Sequence, residues 1–124
     1  MNDALRSYKD LIVWQKSMHL VSAVYKLTEK FPREEMYGLT MQIRRAAVSI
    51  PSNIAEGRLR GHRKEFHQFL RNAYGSGGEL ETQIVIAKQL PNTENLNYTA
   101  VDTLLLEVMK MLNVIIGKLR YPKS

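Results

Sequence analysis

The spacing of the apolar residues between positions 66 and 119 constrains this chain more than any other feature. In a first stretch the steps alternate between four and three residues, at Phe66, Leu70, Ala73, Gly77, Leu80, Ile84 and Ala87. A second stretch is nearly as regular, at Val101, Leu105, Val108, Leu112, Ile115 and Leu119. Such steps place apolar side chains on one stripe of an α-helix and are typical of left-handed, nearly parallel helix packing.

Two earlier stretches also have helical spacing. The first contains Leu11, Trp14, Met18, Val21 and Tyr25, and the second contains Leu39, Ile43, Ala46, Ala47, Ile50 and Ile54. We expect Asp10 to cap the first helix and Phe31-Pro32 to end it, because the residue before a proline avoids the helical region. Pro51 lies inside the second pattern, where we expect a kink and not a break. Gly57 is the predicted left-handed C-cap of that helix.

The pattern therefore predicts helices over about residues 10–30, 38–56, 62–90 and 96–120. Asn95, Asn97 and Thr99 compete as the N-cap of the last helix. The short connections force neighbouring helices to run antiparallel. With 124 residues, the chain has room for one core. The predicted fold is all-α: a single-domain, antiparallel, up-and-down, left-handed four-helix bundle.

Composition excludes several classes of protein. No stretch approaches the roughly 18 uninterrupted apolar residues that a membrane span needs, and the N-terminal residues contain no hydrophobic signal core. We therefore expect a cytoplasmic protein with no membrane partner. The chain has no cysteine, which excludes disulfides and thiolate metal sites.

The net charge of +6 is unevenly distributed. Residues 57–72 carry a net charge of +4, residues 73–109 carry −4, and residues 110–124 carry +4. The first cluster includes Arg58, Arg60, Arg63 and Lys64, at the predicted turn into the third helix. Clustered cations of this kind indicate a polyanion partner, and the alternative is a basic face that only meets solvent. A helix N-terminus in such a cluster favours phosphate.

Two segments are apolar on more than one helical face, at residues 84–87 and 104–116. A bundle helix needs one apolar stripe, so the surplus predicts self-association through the third and fourth helices. The alternative is a broad core stripe. Gly75, Gly77 and Gly78 lie in the middle of the third helix. They indicate a close approach of another helix, a local irregularity at a functional site, or a tolerated weakness.

Catalytic patterns are sparse, so we expect no enzyme activity. The sequence has no HExxH, no phosphate loop, no nucleophile elbow and no glutamate three residues before a histidine. We expect no metal and no cofactor. The second helix does carry a polar stripe, formed by Gln42, Arg45, Ser49, Ser52 and Glu56. It is either a ligand surface, which is the basis of a third and weaker hypothesis of an enzyme, or a structural network. We favour the network, with Glu56 paired to an arginine such as Arg60.

At these residues the chain resembles the four-helix bundle family also called 23S rRNA intervening-sequence proteins. The matching runs are Leu11-Ile12-Val13-Trp14-Gln15-Lys16; Tyr37-Gly38-Leu39 with Gln42-Ile43-Arg44-Arg45-Ala46-Ala47; and Ser49 through Gly57, followed by Arg60, Lys64-Glu65-Phe66 and Gly75-Ser76. The run from Ser49 to Gly57 is quite specific to the family. Within it we single out four structural residues: Pro51, Asn53, Glu56 and Gly57.

The resemblance implies an up-and-down bundle that assembles as a ring of five subunits. Related proteins are encoded within insertions in bacterial large-subunit ribosomal RNA genes. A more distant relative, the accessory variability protein of diversity-generating retroelements, binds nucleic acid and a reverse transcriptase. By that likeness, the positions for polyanion contact are Arg44, Arg45, Arg58, Arg60 and Lys64, and the basic turn adds Arg63.

This chain departs from the family pattern at two positions. His62 stands where relatives have a serine or threonine that opens the third helix, which puts that cap in doubt. Gly77 stands where relatives have a leucine, which predicts a loosened core.

We therefore expect a homo-oligomeric, non-enzymatic, nucleic-acid-binding accessory protein that neutralises RNA or DNA phosphates. The alternative is a scaffold that binds another protein and has no nucleic-acid role.

Overall fold

The computed structural model describes residues 7–120, and within them it contains four α-helices and no strand. The helices are α1 (Ile12–Thr28), α2 (Leu39–Leu59), α3 (Arg63–Gln89) and α4 (Thr99–Arg120). Short 3-10 turns at Tyr8–Asp10 and Arg33–Glu35 precede α1 and α2. The predicted all-α, single-domain fold is confirmed. None of the helices described is long and apolar enough to cross a membrane.

Contacts between the helices show that neighbours run antiparallel. In α2 and α3, the Ser49 and Ser76 hydroxyl oxygens lie 2.8 Å apart, while Gly57 lies against Phe69. Each helix packs against two others, and within residues 7–120 no contact joins α1 to α3 or α2 to α4. The bundle is therefore square in section, with α1 next to α4 as well as to α2.

The core follows the predicted stripes on three helices. α2 buries Ile43, Ala46, Ala47, Ile50 and Ile54, and α3 buries Leu70, Ala73, Gly77, Leu80, Ile84 and Ala87. In α4 the buried residues are Val101, Leu105, Val108, Leu112 and Ile116. Ile116 replaces Ile115 in the last turn, because 3.6 residues per turn do not keep a strict seven-residue repeat on one line.

The apolar spacing that indicated α1 does not mark its most buried stripe. That stripe is formed by Val13, Ser17, Leu20, Val24, Leu27 and Thr28. Leu11, Trp14 and Val21 pack against the core partly buried. Both stripes have helical spacing, so spacing alone does not choose between them. Ser17 tolerates burial because its hydroxyl donates to the Trp14 carbonyl at 2.7 Å. The stripe whose spacing indicated the helix lies towards α2, where Met18 is 40% and Tyr25 is 39% exposed.

α2 continues unbroken through Pro51, as predicted, but it does not end at Gly57. Gly57 is buried inside the helix, and a Cβ built there would lie 2.6 Å from the Cβ of Phe69. Glycine is required at this position by the close approach of α3, not by a left-handed turn. The left-handed residue is Gly61, whose φ is +79°.

The start of α1 differs from the predicted cap, and the start of α4 shows which of three candidate residues caps it. Asp10 belongs to the first 3-10 turn, and Leu11, which has no capping side chain, precedes α1. Before α4, the Asn97 side-chain oxygen accepts a hydrogen bond from the Thr99 N–H at 3.0 Å. Of the three candidates, Asn97 is therefore the residue whose side chain serves the start of α4.

Gly77 does not loosen the core. It is buried, and a Cβ at this position would overlap the sulfur of Met109 on α4. The Met109 side chain therefore fills the space that a larger residue at position 77 would occupy. Gly75 and Gly78 have no neighbouring atoms within 4 Å of a built Cβ, so no close helix approach accounts for them.

Candidate nucleic-acid interface

The candidate interface begins at the turn between α2 and α3, which we call the basic turn (residues 58–64). α2 ends at Leu59, Gly61 takes the left-handed conformation, and extended backbone at His62 leads into α3. This geometry packs the cations Arg58, Arg60, Arg63 and Lys64 into one tight connection. The His62 side chain does not cap α3, so it competes with no ligand for the first backbone N–H groups of that helix.

Arg60 contacts residues on the two helices that flank the turn. Its guanidinium donates to the Glu56 carboxylate at 2.9 Å and lies 5.0 Å from the centre of the Phe69 ring. The hydrogen bond to Glu56 raises the pKa of the Arg60 guanidinium, and the charge of Glu56 adds to that shift. The predicted Glu56–Arg60 pair is confirmed. Arg60 is fully charged at any physiological pH, and its position is fixed by the turn.

Arg63 brings the end of α4 to the basic turn. Its guanidinium donates to the Lys118 backbone carbonyl at 2.9 Å, which satisfies one of the free carbonyls at the end of α4. Lys118 and Arg120 lie in the last turn of α4, so they join the same end of the bundle. We call this set the basic end: Arg58, Arg60, Arg63, Lys64, Lys118 and Arg120.

Sequence reasoning missed Lys118 and Arg120 as interface residues. Their signal was the positive charge of residues 110–124, but nothing local indicated that this segment lies beside a turn more than 50 positions earlier. Lys64 and Lys118 are both exposed, whereas Arg58 is half-buried. The basic end therefore combines exposed lysine charges with arginines that also hold the turn together.

Arg44 and Arg45 lie apart from the basic end. Position 44 precedes position 58 by 14 residues, which is about 21 Å along a helix. Arg44 is also engaged within the fold, since its Nε donates to the Thr28 hydroxyl at 2.8 Å and its guanidinium lies 4.4 Å from the Tyr25 ring centre. Arg45 is exposed in a groove between α2 and α3, beside Gln42, Ser49 and Glu79. The six predicted cations thus occupy two separate regions.

Two residues of the polar stripe of α2, Ser49 and Glu56, are hydrogen-bonded within the fold. The Asn53 side-chain amide donates to the Ser49 carbonyl at 2.9 Å and to the Ser49 hydroxyl at 3.0 Å. Ser49 in turn bonds Ser76 on α3. Asn53, through Ser49, and buried Gly57 therefore take part in the α2–α3 packing, whereas buried Pro51 lies beside Trp14 and Met18 of α1 and Glu56 pairs with Arg60.

Two faces of the bundle expose apolar side chains. The α3/α4 face includes Tyr74, together with Val85, Leu106 and Met109 from the segments whose surplus we had noted. The α1/α2 face was missed, and it includes Trp14, Met18, Tyr25, Tyr37, Met41 and Val48. Tyr37 is 87% exposed. The signal for this face was the apolar stripe through Trp14, Met18 and Tyr25 that first indicated α1.

No group of three or more metal-binding side chains comes together among residues 7–120. The described residues do offer charge and apolar contact. Both are suited to binding a polyanion or a protein surface.

Comparison with known proteins agrees with the residues that first indicated a family. No curated protein sequence matches the chain. The profile of the family described as 23S rRNA-intervening sequence protein matches residues 9–114, which include almost all of the four helices. On the strength of this match, the chain belongs to the 23S rRNA-intervening sequence protein family.

Proposed function

We propose that the protein is a non-enzymatic accessory protein that binds nucleic acid through its basic end. The observation that carries this proposal is the junction of Arg63 with the Lys118 carbonyl, which joins two positively charged segments at one end of the bundle. The family description refers to the intervening sequences of 23S rRNA, which favours RNA as the first ligand to test.

Binding would work by phosphate neutralisation. Lysine and arginine side chains displace condensed counterions from the nucleic acid, and the first N–H groups of α3 add a partial positive charge. Contacts to phosphates carry no sequence information, so we expect little sequence specificity. A non-enzymatic role is supported because Ser49 and Glu56 of the polar stripe, and Asn53 beside it, are already bonded within the fold.

The test is fluorescence anisotropy of labelled RNA and DNA at several salt concentrations. The variant is the double substitution Lys64→Gln with Lys118→Gln, since both lysines are exposed at the basic end. The matched control is Lys26→Gln with Lys30→Gln. These two exposed lysines lie near the C-terminal end of α1, at the end of the bundle away from the basic end. Each lost phosphate contact lowers the slope of log affinity against log salt by about 0.9 on duplex DNA, so we expect a decrease of about 2 in the variant.

The control pair should leave the salt slope unchanged. An equal decrease in both variants would show that the charge acts without a defined surface. No binding of wild-type protein at low salt would contradict the proposal.

We also propose that the chain assembles with itself, as the ring of five subunits that its family resemblance implies. The exposed apolar faces support assembly because a large apolar surface left in water on a monomer usually marks a site of association. Light scattering at micromolar concentration measures the mass, and a monomer would contradict this part of the proposal. The cysteine-free composition supports a reducing, cytoplasmic setting for the assembly.

A protein scaffold with no nucleic-acid role is the second candidate, favoured by the same exposed apolar faces. A pull-down after nuclease treatment tests it. If a partner protein is retained while the anisotropy of RNA and DNA stays flat, the scaffold replaces nucleic-acid binding as the function.

A further inference from the structure

One groove of the bundle is lined almost entirely by polar side chains. It lies between α2 and α3, has a volume of about 420 Å³, and is lined by Gln42, Arg45, Ala46, Ser49 and Glu79. We call it the polar groove. Ala46 is the single apolar residue among the described residues that line it. Small-molecule sites have volumes of about 300–1,000 Å³, so the groove is large enough for a small polar ligand.

The register of the two helices brings a further polar residue to the same side of α3. Ser49 bonds Ser76, so these two residues lie at the same level of the antiparallel pair. Seven residues earlier on α2 is Gln42, and seven residues later on α3 is Gln83, so these two also share a level. Seven residues are about two helical turns, which keeps Gln83 on the side of α3 that carries Ser76. Glu79 lies between them on that side.

Gln83 is an unusual residue in a helix core. It is 6% exposed, and its side-chain oxygen is buried without a hydrogen-bond partner in the described part of the chain. Buried polar groups are nearly always hydrogen-bonded, because an unmade bond costs free energy. A donor from outside the chain would satisfy this oxygen.

The two charged residues that line the polar groove are also without partners. Arg45 and Glu79 are both exposed, and among the residues that the structure describes neither side chain makes a hydrogen bond or an ion pair. Ser49, in contrast, is bonded to Ser76. Within this groove, Gln42 and Arg45 are therefore the residues of the polar stripe whose side chains the α2–α3 packing leaves unbonded.

We propose that the polar groove binds a small zwitterion that carries both an ammonium group and a carboxylate, which is the chemistry of a free amino acid. Arg45 supplies a permanent positive charge and a planar set of N–H donors for the carboxylate. An ammonium group has three donors, for which the Glu79 carboxylate and the Gln83 oxygen are acceptors. An anion or a cation alone would use only one of the two charges. This site adds a function to the nucleic-acid binding proposed above and does not depend on it.

The test is isothermal titration calorimetry of the wild-type protein with each of the standard amino acids, alone and at millimolar concentration. We expect at least one of them to bind. Its N-acetyl derivative lacks the ammonium group and its amide derivative lacks the carboxylate. Each derivative should bind about tenfold or more weakly, because each loses a charge-assisted hydrogen bond. If no amino acid binds, or if both derivatives bind as well as the parent, the proposal is wrong.

Two variants of exposed residues test the charges of the groove. Arg45→Gln and Glu79→Gln should each weaken binding of that amino acid by about tenfold or more. Glu81→Gln is the matched control, because Glu81 is another exposed glutamate of α3 but lines the α3/α4 groove. It should bind as wild type does. Equal losses at positions 79 and 81 would overturn the assignment to the polar groove.

Gln83→Leu distinguishes a residue that binds a ligand from one that serves only the fold. In urea unfolding without ligand, it should be at least as stable as wild type, because an apolar side chain replaces an unsatisfied polar atom. Its binding of the amino acid should be about tenfold or more weaker. A variant that loses stability but binds normally would show that Gln83 serves the fold. If Gln83→Leu does not fold, the Arg45 and Glu79 variants still decide the proposal, since they change exposed side chains.

Discussion

At the scale of single residues, the family's most specific run is explained by helix packing. Asn53 bonds the Ser49 carbonyl and hydroxyl, and Ser49 bonds Ser76 across the α2–α3 interface. Gly57 lets α3 approach at Phe69. Small and hydrogen-bonded residues here let α2 and α3 pack closely. This close packing fixes the position of the basic turn that joins them.

Gly57→Ala should destabilise the protein. The added methyl group would lie 2.6 Å from the Phe69 Cβ, an atom fixed to the α3 backbone, so the helices must move apart. Overpacking lowers the free energy of unfolding by about 1–3 kcal/mol. Placing alanine in a helix raises it by about 1 kcal/mol, so we expect a net loss. Urea unfolding measures the result.

Gly75→Ala is the matched control, since a Cβ there meets nothing within 4 Å. It should stabilise the protein by about 1 kcal/mol. If Gly57→Ala were stabilising to the same degree, the close approach of α3 would not be the reason for glycine at position 57.

At the scale of elements, the connection between α3 and α4 is tied down by buried hydrogen bonds. The Thr93 hydroxyl donates to the Ala87 carbonyl at 2.6 Å, and the Tyr98 hydroxyl donates to the Thr93 carbonyl at 2.8 Å. Burial raises the pKa of the Tyr98 hydroxyl, so it keeps its proton and remains a donor throughout the neutral range. These bonds set where α3 ends and α4 begins.

Tyr98→Phe should lower the free energy of unfolding by about 1–2 kcal/mol, because it leaves the buried Thr93 carbonyl without its donor. Tyr74→Phe changes an exposed side chain and should stay within about 0.5 kcal/mol of wild type. Urea unfolding of both variants distinguishes them. Equal stability would mean that the Tyr98 hydroxyl contributes nothing to the connection.

At the scale of the whole molecule, charge and apolar surface are separated. The basic end gathers cations from α2, α3 and α4 at one end of the bundle, whereas the two apolar faces run along its sides. The proposed assembly, if it uses these sides, would leave the basic ends open. It would then multiply the number of phosphate contacts that a long nucleic acid could make at once.

Met41→Glu should therefore weaken binding to a long RNA by at least about tenfold, because a monomer loses the gain from several linked sites. Binding to an oligonucleotide short enough for one basic end should not change. Val114→Glu is the control, because Val114 is 55% exposed and lines neither apolar face. It should behave as wild type with both ligands, and anisotropy measures all three proteins. Equal losses with long and short RNA would show that position 41 acts on the basic end itself.

Several features were determined by the sequence alone. Apolar steps of three and four residues are local, so they predicted four helices and the buried stripes of α2, α3 and α4. The Glu56–Arg60 pair was predictable for the same reason, since residues four apart on a helix are neighbours. Helical geometry converts such short-range spacing directly into contacts.

Only the tertiary structure decided the rest. α1 has two apolar stripes, and its packing against α2 and α4 selected the one through Leu20 and Val24, leaving Met18 and Tyr25 on an outer face. From the sequence, Gly57 indicated a helix end. The contact with Phe69 of α3 shows that glycine is needed there for close packing. The basic end exists because folding brings Arg63 to Lys118, and it leaves Arg44 in a separate region. These are contacts between helices, and spacing within one helix carries no information about what the next helix places beside it.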